Sequence, residues 1–165
     1  MKPFKLMFMV LAGTFIYLSA VSQNVVLNIL TRNSGQVNMG GNLFLEVSVC
    51  NTDPTYSVPG YRIIPQISVP TAIVSIPGTG HILPPGWSII SNEDGVIILS
   101  NGIDVIAPNG CRTILILLRG KAPGGPSTIS GQLSFSNGPG LAPGAPTAGD
   151  LPADNFSTTT CNVTM

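Results

Sequence analysis

Beyond residue 22, every apolar run in this chain is short, rich in β-branched residues, and soon cut by Gly, Pro, Asn or Asp. Such runs suit strands, because Val, Ile and Thr fit a pleated, half-buried surface while the interrupting residues supply turns. The apolar spacing of an amphipathic helix is absent. Strands are expected near residues 24–32, 42–50, 61–69, 71–76, 87–91, 95–100, 111–119, 128–136 and 155–164. With 19 Gly and 15 Pro among 165 residues, turn formers are plentiful enough to separate them.

Alternation sets the faces. In "NLFLEVSVC", Leu43, Leu45, Val47 and Val49 alternate with Phe44, Glu46 and Ser48, the period of a half-buried strand. "TILILL" (113–118) does not alternate, which predicts a central strand or one covered on both faces. Short strands at this spacing favour a β-sandwich, with a barrel as the second architecture. Pro65 and Pro70 cannot donate ladder hydrogen bonds, so they are expected to blunt sheet edges.

The first 22 residues read differently. Lys2 and Lys5 precede the apolar run "LMFMVLAGTFIYL", and Ala20 and Ser22 provide small residues before a break at Gln23. That three-part order is a secretory signal peptide, residues 1–22, and the apolar run is too short to span a bilayer. Cleavage leaves one domain, residues 23–165, large enough for its own core. It also removes two of the seven basic residues, leaving five against seven acidic. So sparse and slightly acidic a surface excludes a nucleic-acid partner and a polybasic membrane patch. No membrane insertion is expected after cleavage.

A family resemblance enters with the order "GGNLFLEVSVCNTDPT", "ISVP", "LPPGWSII", "IAPNGCRTILILLRG" and "GDLPADNFSTTTCNVT". Together these resemble the Ig-like repeat domain of bacterial secreted and cell-surface proteins, over most of residues 25–164. The signal peptide and the Gln after it are similar to those of secreted Bacteroidetes proteins. The resemblance implies an all-β fold, an Ig-like antiparallel β-sandwich. The family's tandem copies and wall-anchor motif are not found here.

That strand order bears on the three cysteines. An Ig-like antiparallel pairing of the second strand with the fifth puts Cys50 and Cys111 side by side and leaves Cys161 unpaired. The pairing holds only if 61–76 is not one continuous strand; the alternative is three reduced, buried thiols. The same order gathers the loops 51–60 and 101–110, with the Pro/Gly-rich loop 137–154, at one end of the sandwich. Loop clusters of this kind are where sandwiches carry recognition, although an inert loop is an equal expectation.

Candidate sites are few. Trp87, after the Pro84-Pro85-Gly86 turn, either fills one end of the core or stacks on a sugar ring, with Tyr56 and Tyr61 as further ligand contacts. His81, the one histidine, has no acid or nucleophile near it in sequence. Asn92, Glu93 and Asp94 bring oxygens together but lack calcium-loop spacing, and read as a hairpin turn. Carboxylate pairs are conceivable from Asp94 and Asp104 or from Asp150 and Asp154, all in turn-like sequence. There is no GxSxG elbow, phosphate loop or Cys/His metal spacing. A non-enzyme without cofactors or metal is expected: a secreted, structural or adhesive module at the cell surface. Its partner would be a cell-surface protein or a second copy joined through edge strands, with a carbohydrate-binding module as the alternative.

Overall fold

Two sheets face each other in the computed structural model, which describes residues 24–147 and 149–165. The signal peptide lies outside the described residues. The described residues form ten strands: β1 (Val25–Thr31), β2 (Gln36–Asn38), β3 (Asn42–Asn51), β4 (Ile63–Ser68), β5 (Val74–Ser75), β6 (Ser88–Glu93), β7 (Val96–Ser100), β8 (Cys111–Gly120), β9 (Gly124–Phe135) and β10 (Phe156–Thr164). One sheet runs β1-β3-β8-β5 and the other β2-β10-β9-β4-β7-β6. All pairings are antiparallel except that of β2 with β10. The first sheet has the A-B-E-D order of an immunoglobulin sandwich, and β10-β9-β4 has the G-F-C order, so the fold is Ig-like. The β6–β7 hairpin extends the second sheet beyond that frame.

The alternating residues meet between the sheets. Leu43, Leu45, Val47 and Val49 of β3, with Ile114, Ile116 and Leu118 of β8, form the buried face of one sheet. Ile63, Ile67, Ile97, Leu99, Ile129, Leu133 and Phe135 form the other. Each fully buried side chain of this size stabilises by roughly 1.5–3 kcal/mol over an exposed one. The unbroken "TILILL" pattern belongs to a central strand. Beyond β5, residues 81–82 run along the edge of β8 away from β3, with Ile82 bridging to Leu115 and the imidazole Nδ1 of His81 accepting the Leu117 N–H at 3.1 Å. His81 therefore extends the β8 ladder, and its Nε2 lies 2.8 Å from the Pro77 carbonyl.

Three expectations need correction. β2 was not expected: at three residues it has no readable alternation. The chain reaches it through Asn33, Ser34 and Gly35, all at positive φ, which carry it from one sheet to the other. A Cβ on Gly35 would collide with the Thr160 carbonyl, so glycine is required there. Pro65 does not blunt an edge, because β4 lies inside its sheet. Ile63 addresses the β7 side, where its carbonyl accepts the Asn101 N–H, and Pro65 shares its parity. The N–H it lacks therefore faces β7, whose paired register covers Gln66–Ser68 and is interrupted at Pro65, while the pairing with β9 continues through Pro65. Pro70 lies in the turn after β4, its carbonyl accepting the Ile73 and Val74 N–H groups. That turn reduces the expected strand 71–76 to Val74–Ser75.

The strands at the two ends of the domain are also less open than expected. β10 lies between β9 and β2. β1 is an edge, but its outward N–H groups at Val25 and Ile29 donate to Asp150 Oδ1 (3.2 Å) and Ser157 Oγ (3.1 Å).

Candidate functional site

The directions of β3, β4, β7, β8, β9 and β10 put the loops 52–62, 101–110 and 136–155 at one end of the sandwich, as the Ig-like order implied. Cys50 and Cys111 close that end. They form the last pair of the β3–β8 ladder, with Cα atoms 4.1 Å apart, and are joined by a disulfide. The Asn51 N–H bonds the Gly110 carbonyl, so the cysteines occupy a non-hydrogen-bonded pair, the position where facing side chains come closest. Cys161 is free and buried on β10, and its burial raises the thiol pKa.

Two buried asparagines fix the loops to the sheets. Asn51 Nδ2 donates to the Tyr56 carbonyl at 2.7 Å and to the Ile106 and Ala107 carbonyls at 3.2 Å, while its Oδ1 accepts the Asp53 N–H. Asn101 Oδ1 accepts the N–H groups of Arg62 (2.9 Å) and Ile63 (3.1 Å). Its Nδ2 donates to the carbonyls of Pro59 (2.9 Å) and Asp104 (2.7 Å), so all four of its hydrogen-bonding positions are used. Asp53 Oδ1 accepts the N–H groups of Thr55 and Tyr56 and sets the bend between them. Arg62 holds the third loop, donating to the Ser136 (2.5 Å) and Ala145 (2.6 Å) carbonyls with its guanidinium over the Phe135 ring.

Asp104 organises the centre of this end. Its carboxylate accepts the indole N–H of Trp87 and takes two hydrogen bonds from Arg112, Nε to Oδ2 at 2.7 Å and Nη2 to Oδ1 at 3.0 Å. Burial pushes the Asp104 pKa up, but the bonds from Arg112 and Trp87 outweigh it and the net shift is downward. Arg112 is correspondingly raised, chiefly by its bond to Asp104.

Trp87 is 7% exposed and belongs to the scaffold, so its indole is no stacking platform. Tyr61 is half-buried at φ 58°, tied by its N–H to the Gly102 carbonyl and by its own carbonyl to the Ser136 hydroxyl. Tyr56 is the exposed member of the three, at 40%. The structure adds Ile103 and Val105, 71% and 51% exposed, on the neighbouring loop. Both lie on the 101–110 loop that the sequence already marks, but neither was singled out, because the exposure of an apolar loop residue cannot be read from its type.

Asp94 and Gly95 form the two-residue turn of the β6–β7 hairpin, both at positive φ, as expected. That turn is at the opposite end from Asp104, so these carboxylates are not paired. Asp150 and Asp154 have separate partners: Asp154 Oδ2 accepts Asn24 Nδ2, while Asp150 accepts the Val25 N–H and Asn155 Nδ2. Among the described residues no three His, Cys, Asp or Glu side chains cluster as a metal site would require. No helix among them is long and apolar enough to cross a membrane.

No family model matches the chain, and no curated protein matches it. Solved structures do. The cohesin module of a family 33 glycoside hydrolase from Clostridium perfringens is 11% identical, with 85% of this chain and 98% of that one covered at a TM-score of 0.52. The major pilin subunit of Bacillus cereus is 9% identical over 87% of this chain, at a TM-score of 0.53; the chain spans 41% of that subunit. At such identities the likeness is one of fold.

Proposed function

We propose that this chain is an exported, non-catalytic Ig-like module that binds a protein at a bacterial cell surface through its loop-bearing end. The observation that carries this reading is the exposure of Tyr56, Ile103 and Val105 on loops whose bases are locked by Asn51, Asn101 and the Cys50–Cys111 bridge. Apolar and aromatic side chains on a preorganised surface bind with little loss of conformational freedom, which is what an adhesive contact needs. A disulfide agrees with an oxidising compartment outside the cytosol. The cohesin module and the pilin subunit, which share this fold, are extracellular-type modules and lend the reading indirect support.

A carbohydrate-binding role is weaker, because burial of Trp87 leaves Tyr56 as the one well-exposed aromatic of the three. Self-association through β1 is disfavoured by the Asp150 and Ser157 side chains that occupy its outward N–H groups at Val25 and Ile29. If copies do join edge to edge, β6 is the longer open edge, and its irregularity at Ile89/Ser91 works against pairing. The test is binding of the purified chain to envelopes of its own host, compared with a Tyr56→Ala, Ile103→Ser, Val105→Ser variant. Loss of binding at unchanged melting temperature supports the reading, and equal binding rejects it.

A further inference from the structure

We infer that the cleft between the end of β9 and the two arms of the 137–154 loop is a binding site for a neutral sugar residue. β10 pairs with β9 as far as Phe156, which stands opposite Gln132. Beyond that point the ladder gives way to two single bonds. The Leu133 N–H donates to the Asn155 carbonyl at 2.8 Å, and the Phe135 carbonyl accepts the Gly144 N–H at 2.9 Å. A strand residue points its N–H and C=O to the same side, so the Leu133 carbonyl and the Phe135 N–H face the gap between those bonds. Neither has a partner among the described residues, although Leu133 and Phe135 are both buried. Backbone groups shielded in this way call for a partner.

A cavity of about 380 Å³ lies in that gap, a size ordinary for a small-molecule site. Gln132 and Ser134 line it from the strand, and Pro143, Gly144, Pro146 and Pro152 line it from the loop.

The lining selects the ligand. None of its residues is charged, and the Arg62 guanidinium near Gly144 is committed to the Ser136 and Ala145 carbonyls, so an ionic group would go unpaired. The prolines present C–H surface without an N–H, which suits the apolar face of a pyranose ring. The polar groups are mixed: an acceptor at Leu133, a donor at Phe135, a hydroxyl at Ser134 and a carboxamide at Gln132. The last two side chains are exposed and have no partner among the described residues. A sugar hydroxyl donates and accepts on one atom, so it satisfies either kind of group. An extended peptide fits less well, because Gly144 and Asn155 close the gap at its two ends and block a strand added to β9. Phe156, 57% exposed beside Gln132, continues an apolar face from the mouth of the cleft, where a second ring of a glycan would lie. The site uses neither Trp87 nor the surface of Tyr56, Ile103 and Val105, and it stands apart from protein binding there.

The experiment is an amide-resolved NMR titration of the disulfide-intact native chain. The probes are the methyl glycosides of glucose, galactose, mannose and N-acetylglucosamine, each taken to about 50 mM, with glycerol and N-acetylalanine amide as controls. At least one glycoside should shift the amide resonances of Ser134, Phe135 and Gly144 saturably, with a Kd of about 1–10 mM, as befits so small a ligand. Gln132→Ala with Ser134→Ala should weaken that binding at least about fivefold at unchanged melting temperature, and Gln132→Ala alone serves if the double variant does not fold. Tyr56→Ala should bind the sugar as the parent does, which separates this site from the loop surface. The proposal is overturned if no glycoside moves those resonances, or if glycerol moves them equally. It is overturned as well if the peptide amide alone does so, or if the double variant binds as the parent.

Discussion

The indole N–H of Trp87 donates to Asp104 Oδ2 at 2.8 Å, and that same oxygen accepts Arg112 Nε at 2.7 Å. One carboxylate thus joins the start of β6, the 101–110 loop and the start of β8. Removing it strands an indole N–H and a guanidinium, both partly shielded from water.

Asp104→Ala should therefore destabilise the chain by about 2–3 kcal/mol, more than loss of a single neutral hydrogen bond. Asp104→Asn should cost less at low pH than at neutral pH. The Asp104 pKa is lowered on folding, so its stabilisation is complete above the unfolded-state value and fades as pH falls through the folded one. Urea unfolding of parent and variant at neutral pH and near pH 3 measures both effects; a difference independent of pH would contradict the assignment.

The Cys50–Cys111 bridge closes a sequence separation of 61 residues. In the chain-entropy model that is worth about 4 kcal/mol, so Cys50→Ser with Cys111→Ser should lower the urea midpoint markedly. Non-reducing peptide mapping should find Cys161 as the free thiol. That thiol should react with a maleimide only once the chain unfolds, because it is buried and its pKa is raised. Rapid labelling of the native protein would show that β10 is not packed as described.

Asn101→Ala removes four hydrogen bonds and leaves the Arg62 and Ile63 N–H groups and the Pro59 and Asp104 carbonyls without their partner. A loss of about 3 kcal/mol is expected, with faster amide exchange confined to residues 58–63 and 101–104. Uniform acceleration across all strands would instead mean that Asn101 acts on global stability alone.

Much of this architecture is legible in the sequence because it rests on local chemistry. Leu43 to Val49 alternate, and Asp94-Gly95 makes a tight turn, whatever surrounds them. The loop-bearing end and the disulfide followed once strand order was supplied. What remained hidden depends on partners distant in the chain. β2 exists because β10 offers it an edge, and Pro65 sits inside a sheet with its missing N–H directed at β7, leaving the pairing with β9 intact. Asn51 and Asn101 look like ordinary strand-end turn residues; only their neighbours from other loops show that they are buried. Trp87 and Tyr56 are equally aromatic in sequence, and burial alone separates the scaffold residue from the exposed one.

The most direct measurement is hydrogen–deuterium exchange of the native chain, free and bound to envelopes of its host. Protection should concentrate in residues 53–58 and 102–108, around Tyr56, Ile103 and Val105, with β6 unchanged. Protection along β6 or on the β9–β10 face, with those loops unaffected, would contradict the assignment of the loop-bearing end as the recognition surface.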